Sequence, residues 1–236
     1  MKVKPCFGII SWLPDAAEAR KLRTERLERL FKQLEELWPE VPVMVVCQNW
    51  KDFDPGYPKH IYFKYDRLGI LKARKTLRNH FLQSEYNYLI MFDDDAIIQV
   101  DDDHAASDYM DAIKKNPRGF CFMHGNGSSS YTDYVDSQLN LCAISRDIVQ
   151  LEDIPDYDPQ KSEGFEDRIY STLLHFKYKD KEFLPPTNIR CIHFKNPNEP
   201  APSTWSREKK YDWRFMRENT RAVEKYISVK KELPKK

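Results

Sequence analysis

Apolar runs alternate with amphipathic stretches over the first hundred residues. Phe7-Gly8-Ile9-Ile10-Ser11-Trp12 reads as a first, buried strand. Leu13-Pro14-Asp15 opens a helix, since proline and an acidic residue suit a first turn. Leu22, Leu27, Leu30, Phe31, Leu34 and Leu37 then recur at helical spacing, with Arg and Glu on the other face, until Pro39. Val41 to Cys47 is a second strand, Asp52 to Lys59 a Pro/Gly/Asp loop, and Ile61-Tyr62-Phe63 a short third strand. Leu68 to Leu82 reads as a second helix, and Tyr88 to Phe92 as a buried strand. Beyond Asp95 the pattern loosens. It predicts a helix over Ala105–Lys115, strands over Gly119–Met123, Leu139–Ser145 and Asn188–Phe194, a helix over Phe165–His175, and polar or proline-rich loops between them. Strand and helix signals in alternation predict an α/β fold with a doubly wound, mostly parallel central sheet flanked by helices.

Composition narrows this picture. The 236 residues are enough for one large domain or two small ones, and a content of 41% hydrophobic and 32% charged residues fits a globular protein with a highly charged surface. The formal net charge of +1 gives no global field for nucleic acid or membrane. With only 7 glycines, neither GxGxxG nor GxxxxGK[ST] occurs. The five cysteines are far apart. Cys6, Cys47, Cys121 and Cys191 lie in apolar runs and read as reduced core residues. No signal peptide is legible at the amino terminus, and no run of about 18 apolar residues offers a membrane span. These observations lead to the expectation of a cytoplasmic protein.

The candidate chemistry is concentrated where the Tyr88–Phe92 strand ends in Asp93-Asp94-Asp95. Three carboxylates at the end of a core strand repel one another and are costly to desolvate, and a hard divalent cation offsets that cost. Mg2+ or Mn2+ bound by one or two carboxylates plus substrate phosphates is the expected cofactor. Open α/β sheets bind ligands at this carboxyl edge. Two residues apart on an extended strand, Asp93 and Asp95 are expected to point to one side and Asp94 away. Arg74 and Arg78 are candidates for the diphosphate, because guanidinium forks match phosphate oxygens. Trp12 and Asp66, after the first and third strands, are candidates for the base and ribose.

Three passages carry a family resemblance, in order. Lys72-Ala73-Arg74 and Arg78-Asn79 precede Tyr88 to Asp95; Gly164-Phe165-Glu166-Asp167 follows; Ile192-His193-Phe194 lies on a late strand. Together they resemble the GT-A glycosyltransferases over roughly residues 5 to 195. The resemblance implies a Rossmann-like GT-A domain over 1–196, with a nucleotide-sugar half over 1–100 and an acceptor half over 101–196. It implies a DxD motif in the acidic triplet and an inverting transfer from a nucleoside-diphosphate sugar, a UDP-sugar first, to a hydroxyl-bearing acceptor. Asp93, Asp95 and His193 are then the implied metal ligands. Asp167 is the implied general base, with Glu166 beside it, and a carboxylate near a helix start is kept ionised by the helix dipole. Ser11-Trp12-Leu13-Pro14-Asp15 departs from the family's early motif, and the membrane helices of its polysaccharide synthases are missing.

Residues 197–236 read as a basic extension, Pro-rich at first and then expected to be helical over Arg207–Lys230. From Ala201 to Lys236, 11 Lys/Arg stand against 5 Asp/Glu, with Trp205, Tyr211, Trp213 and Phe215 among them. Some phage GT-A enzymes glycosylate hydroxymethylated DNA bases, so nucleic acid joins glycans as an acceptor class. An amphipathic helix packed on the domain is the simpler expectation. Two other readings compete on the same residues: a nucleotidyltransferase, which would normally carry a glycine-rich loop after the first strand, and a non-catalytic nucleotide-binding module.

Overall fold

A computed structural model describes residues 2–50, 53–124, 137–151, 174 and 178–193. The elements are β1 (Pro5–Trp12), α1 (Ala17–Leu37), β2 (Val43–Gln48), β3 (Ile61–Tyr65), α2 (Ile70–Gln83), β4 (Tyr88–Asp93), β5 (Ala96–Val100), α3 (Ala105–Lys115), β6 (Phe120–His124), β7 (Ser137–Ser145), α4 (Arg146–Leu151) and β8 (Ile189–His193). Six strands form one sheet in the order β3-β2-β1-β4-β7-β6. β3, β2, β1 and β4 run parallel, and only β7 runs against its neighbours. The expected mostly parallel α/β sheet is therefore the observed one. Strand order reverses between β1 and β4: from β1 the chain winds outward to β3, then α2 returns it to the other side of β1.

Strand alternation divides the core. Phe7, Ile9, Val45, Ile90 and Phe92 pack with Leu27, Leu30, Phe31 and Leu34 of α1 and with Tyr109 and Ile113 of α3. Their neighbours Cys6, Ile10, Met44, Val46, Leu89 and Met91 pack with Ala73, Leu77 and Phe81 of α2 and Ile148 of α4. Gly8 lets α2 approach the sheet, because a Cβ there would lie 2.8 Å from a Leu77 methyl and 2.7 Å from one of Leu89. All five cysteines are buried and free, as expected of reduced core residues. Burial pushes the thiols of Cys6, Cys47, Cys121 and Cys191 up, so they stay protonated.

The sequence pattern misses β5, α4 and a short 3-10 turn over Lys179–Lys181. β5 pairs antiparallel with β8 in a separate two-stranded sheet. Its other edge is covered by one side chain of α1: Gln33 Nε2 donates to the Ile98 carbonyl at 2.8 Å, and the Ile98 N–H donates to Gln33 Oε1 at 3.1 Å. The acidic triplet breaks the hydrophobic run before Ala96, which hides a strand of only five residues. The expected helix over Phe165–His175 and the carboxyl-terminal extension lie outside the described residues. Among the described residues no helix is long and apolar enough to cross a membrane.

One titration follows from the packing. His60 is buried among Phe31, stacked Tyr57 and Tyr62. Burial pushes its imidazole down to about 4 from the ordinary 6.5. Below pH 6.5 the unfolded chain takes up a proton that the folded chain refuses until about pH 4. Stability from this group is thus full above pH 6.5 and falls by about 2–3 kcal/mol as pH drops through the window. Urea unfolding at pH 7 and 4.5 is expected to show a loss smaller by that amount in His60→Phe. Equal losses would contradict the assignment.

Candidate functional site at the carboxyl edge of β1 and β4

The acidic triplet stands at the point where strand order reverses, and its members diverge. Asp93, the last residue of β4, continues the side of Leu89 and Met91 and turns to α2. Its Oδ1 accepts from Arg74 Nη2 at 2.9 Å. Arg74 itself is only 3% exposed. Asp94 continues the side of Ile90 and Phe92 and is 3% exposed. Its carboxylate accepts from Ser11 Oγ at 2.9 Å, from the Trp12 N–H at 3.2 Å and from Arg23 of α1. Burial lifts the Asp94 carboxyl above its usual range, and the Arg23 guanidinium acts against that lift.

Asp95 does not continue the extended alternation expected from the sequence. The strand ends at Asp93, and Asp94-Asp95 form a turn. Asp95 lies in the field of three α1 guanidiniums, those of Arg23, Arg26 and Arg29. Desolvation lowers the pKa of Arg26 and Arg29, and the Asp95 charge opposes it. A row of arginines at every third position on α1 therefore flanks the acids from one side, and Arg74 from the other.

The row of strand ends facing α2 forms the rest of this carboxyl edge. Trp12, Gln48 and Tyr65 are in register across β1, β2 and β3. The Arg67 guanidinium lies over the Trp12 ring at 5.8 Å from its centroid. Asp66 is exposed just beyond β3, and Arg78 is buried one turn along α2 from Arg74. The structure thus gathers Trp12, Asp66, Asp93 and Arg74 along one edge, with Arg78 behind them.

Sequence reasoning missed Asn140. It is fully buried on β7; its Oδ1 accepts the Asp93 N–H at 2.6 Å and its Nδ2 donates to Asp93 Oδ2 at 3.0 Å. The next residue, Leu141, has φ 55°, and the β6–β7 register shifts across this segment. A non-glycine residue in that region is strained, and such strain tends to sit where a side chain must be re-aimed. The signal was a single amide inside the apolar run Leu139–Ser145.

Among the described residues, no three His, Cys, Asp or Glu side chains form a group that could hold a metal ion. The residues nevertheless suit a hard cation in kind: two carboxylates at Asp93 and Asp95, with the backbone of His193 opposite Ala96, the residue after Asp95. Glu166 and Asp167 lie outside the described residues.

Neither a protein-family model nor a curated protein matches the chain. Solved structures do share its fold. A protein described as a nucleotide-diphospho-sugar transferase from Desulfovibrio desulfuricans G20 is 10% identical, with TM-score 0.48, covering 95% of this chain and 99% of that one. S. aureus TarS 1–349 is 13% identical, with TM-score 0.52; the match covers 76% of this chain but only 57% of that one. A protein described as a glucose-1-phosphate thymidylyltransferase from Bacillus anthracis, in complex with sucrose, is 9% identical, with TM-score 0.54, covering 80% and 89%. At these identities the likeness shows the fold alone, a mixed α/β sheet flanked by helices, and it rests on the second and third of these structures.

Proposed function

We propose that the chain is a metal-assisted glycosyltransferase that moves a sugar from a nucleoside-diphosphate sugar, a UDP-sugar first, to a hydroxyl acceptor with inversion. The carrying observation is the acidic triplet Asp93–Asp95 at the strand-order reversal, set between the arginines of α1 and Arg74 of α2. A departing diphosphate would bring negative charge beside guanidiniums already set around the acids, and such preorganised donors stabilise charge as it develops. Asp93 and Asp95, with His193, would hold Mn2+ or Mg2+. When bound, that cation would neutralise diphosphate oxygens. Arg74 and Arg78 would bind the diphosphate, and Trp12 and Asp66 would face the base and ribose. Asp167 would take the acceptor's proton, with Glu166 beside it orienting the hydroxyl, so that attack comes from the face opposite the leaving group.

The fold shared with the thymidylyltransferase makes nucleotidyl transfer the second reading. The β1–α1 turn argues against it. A triphosphate would need free backbone amides after β1. Here the Trp12 N–H is held by Asp94 and the Leu13 N–H by the Gln48 carbonyl, and Pro14 has none. Incubation with UDP-sugars and Mn2+ is expected to release UDP slowly, by transfer to water. Incubation with nucleoside triphosphates and sugar 1-phosphates is expected to release no pyrophosphate. The reverse result would overturn the proposal in favour of nucleotidyl transfer.

A further inference from the structure

Gln48 ends β2 in register between Trp12 of β1 and Tyr65 of β3, and is only 5% exposed. Its Oε1 accepts two backbone bonds from the turn before α2, from the Leu68 N–H at 2.9 Å and the Gly69 N–H at 3.0 Å. Gly69, with φ 79°, takes a backbone conformation that glycine adopts without strain. The amide cannot be turned over, because its NH2 would then oppose two N–H donors. The Nε2 group is therefore fixed on the far side. It makes no hydrogen bond to a described residue. A nearly buried side chain thus keeps one oriented donor at the carboxyl edge of the sheet, in register between Trp12 and Tyr65.

We infer that Gln48 determines base specificity, donating from Nε2 to an exocyclic keto oxygen, O4 of uracil among the pyrimidines. This rests on the nucleotide-sugar reading above. The amino group of cytosine at the same position would set donor against donor and leave both groups unpaired in a desolvated place, which is how polar sites reject near-isosteres. Flat neighbours such as Trp12 tolerate any base, so the discrimination falls to the amide.

The test is the ratio of UDP to CDP affinity, by calorimetry with Mn2+ present. The unaltered protein is expected to bind UDP at least about tenfold tighter than CDP, the difference one well-placed hydrogen bond makes. Gln48→Glu keeps an oxygen for the Leu68 and Gly69 amides but replaces the donor with an acceptor. Its ratio is expected to fall to about one or below, since the added charge weakens both nucleotides alike. As a measurement independent of any variant's folding, the diphosphate of 2-pyrimidinone riboside, which lacks O4, should bind the unaltered protein about tenfold more weakly than UDP. A preference for UDP that survives in Gln48→Glu, or an undiminished affinity for the O4-less analogue, would overturn the assignment of the base alone. No binding of any nucleoside diphosphate to the unaltered protein would overturn the donor reading, and this inference with it.

Discussion

Asp95→Asn is expected to remove the Mn2+-dependent part of UDP binding and to stop release of UDP from UDP-sugar. Losing an outer-shell partner of a metal ligand typically costs 10–100-fold in metal affinity, so losing a ligand carboxylate should cost about 100-fold or more. The surroundings of Asp95 supply a control of opposite sign. Its charge lies among Arg23, Arg26 and Arg29, which would otherwise attract a diphosphate. In EDTA, therefore, Asp95→Asn is expected to bind UDP as well as the unaltered protein or better, because one negative charge has left the field of these arginines. Calorimetric titrations of UDP with Mn2+ and with EDTA, on both proteins, separate the two effects. If Mn2+ strengthens UDP binding equally in both, the cation is not held by Asp95.

Much of the sheet was legible in the sequence because its strands are buried on both faces and read as unbroken apolar runs, and α1 carries a regular apolar stripe. β5 was not. It is five residues long, follows three acids, and owes its place to pairing with β8 some ninety residues later and to Gln33 on α1. Local pattern contains neither partner. The site divides in the same way. Strand alternation separated Asp94 from Asp93, since it needs only period two. It failed at Asp95, where the strand stops and a turn begins. Asn140 and Gln48 look like ordinary polar interruptions of apolar runs. Their roles come from what the topology sets beside them, the Asp93 backbone for one and the Leu68–Gly69 turn for the other. The arginines on α1 read as a solvated face in one dimension, yet Arg26 is 6% exposed and Arg23 reaches the buried Asp94.

That last pair supports the largest expected effect on stability. Asp94 is sealed between β1 and α1, and its charge is balanced by Arg23 with help from two neutral donors, Ser11 and the Trp12 N–H. Ser11 also accepts from Trp50 Nε1 at 3.2 Å, so the pair joins the ends of β1 and β4 to the segment after β2. Arg23→Met would leave a carboxylate buried without its counter-charge, and breaking such a pair typically costs about 3–5 kcal/mol. The cost has a defined pH dependence. Without Arg23, burial raises the folded Asp94 pKa further above its unfolded value. A protonated Asp94 is tolerated, so the variant's deficit is smallest below about pH 4, the ordinary carboxylate value. It grows as pH rises through the raised folded pKa. Adding Asp94→Asn removes the stranded charge while keeping an oxygen for Ser11 and Trp12, so the double variant is expected to recover part of the loss at neutral pH. Its stability should also lose the pH dependence of the single variant. Urea unfolding of the three proteins at pH 4.5 and 7.5 measures all of this. A single variant within about 1 kcal/mol of the parent at pH 7.5 would mean that the ion pair does not hold the floor of the crevice, because an exposed pair contributes about that little.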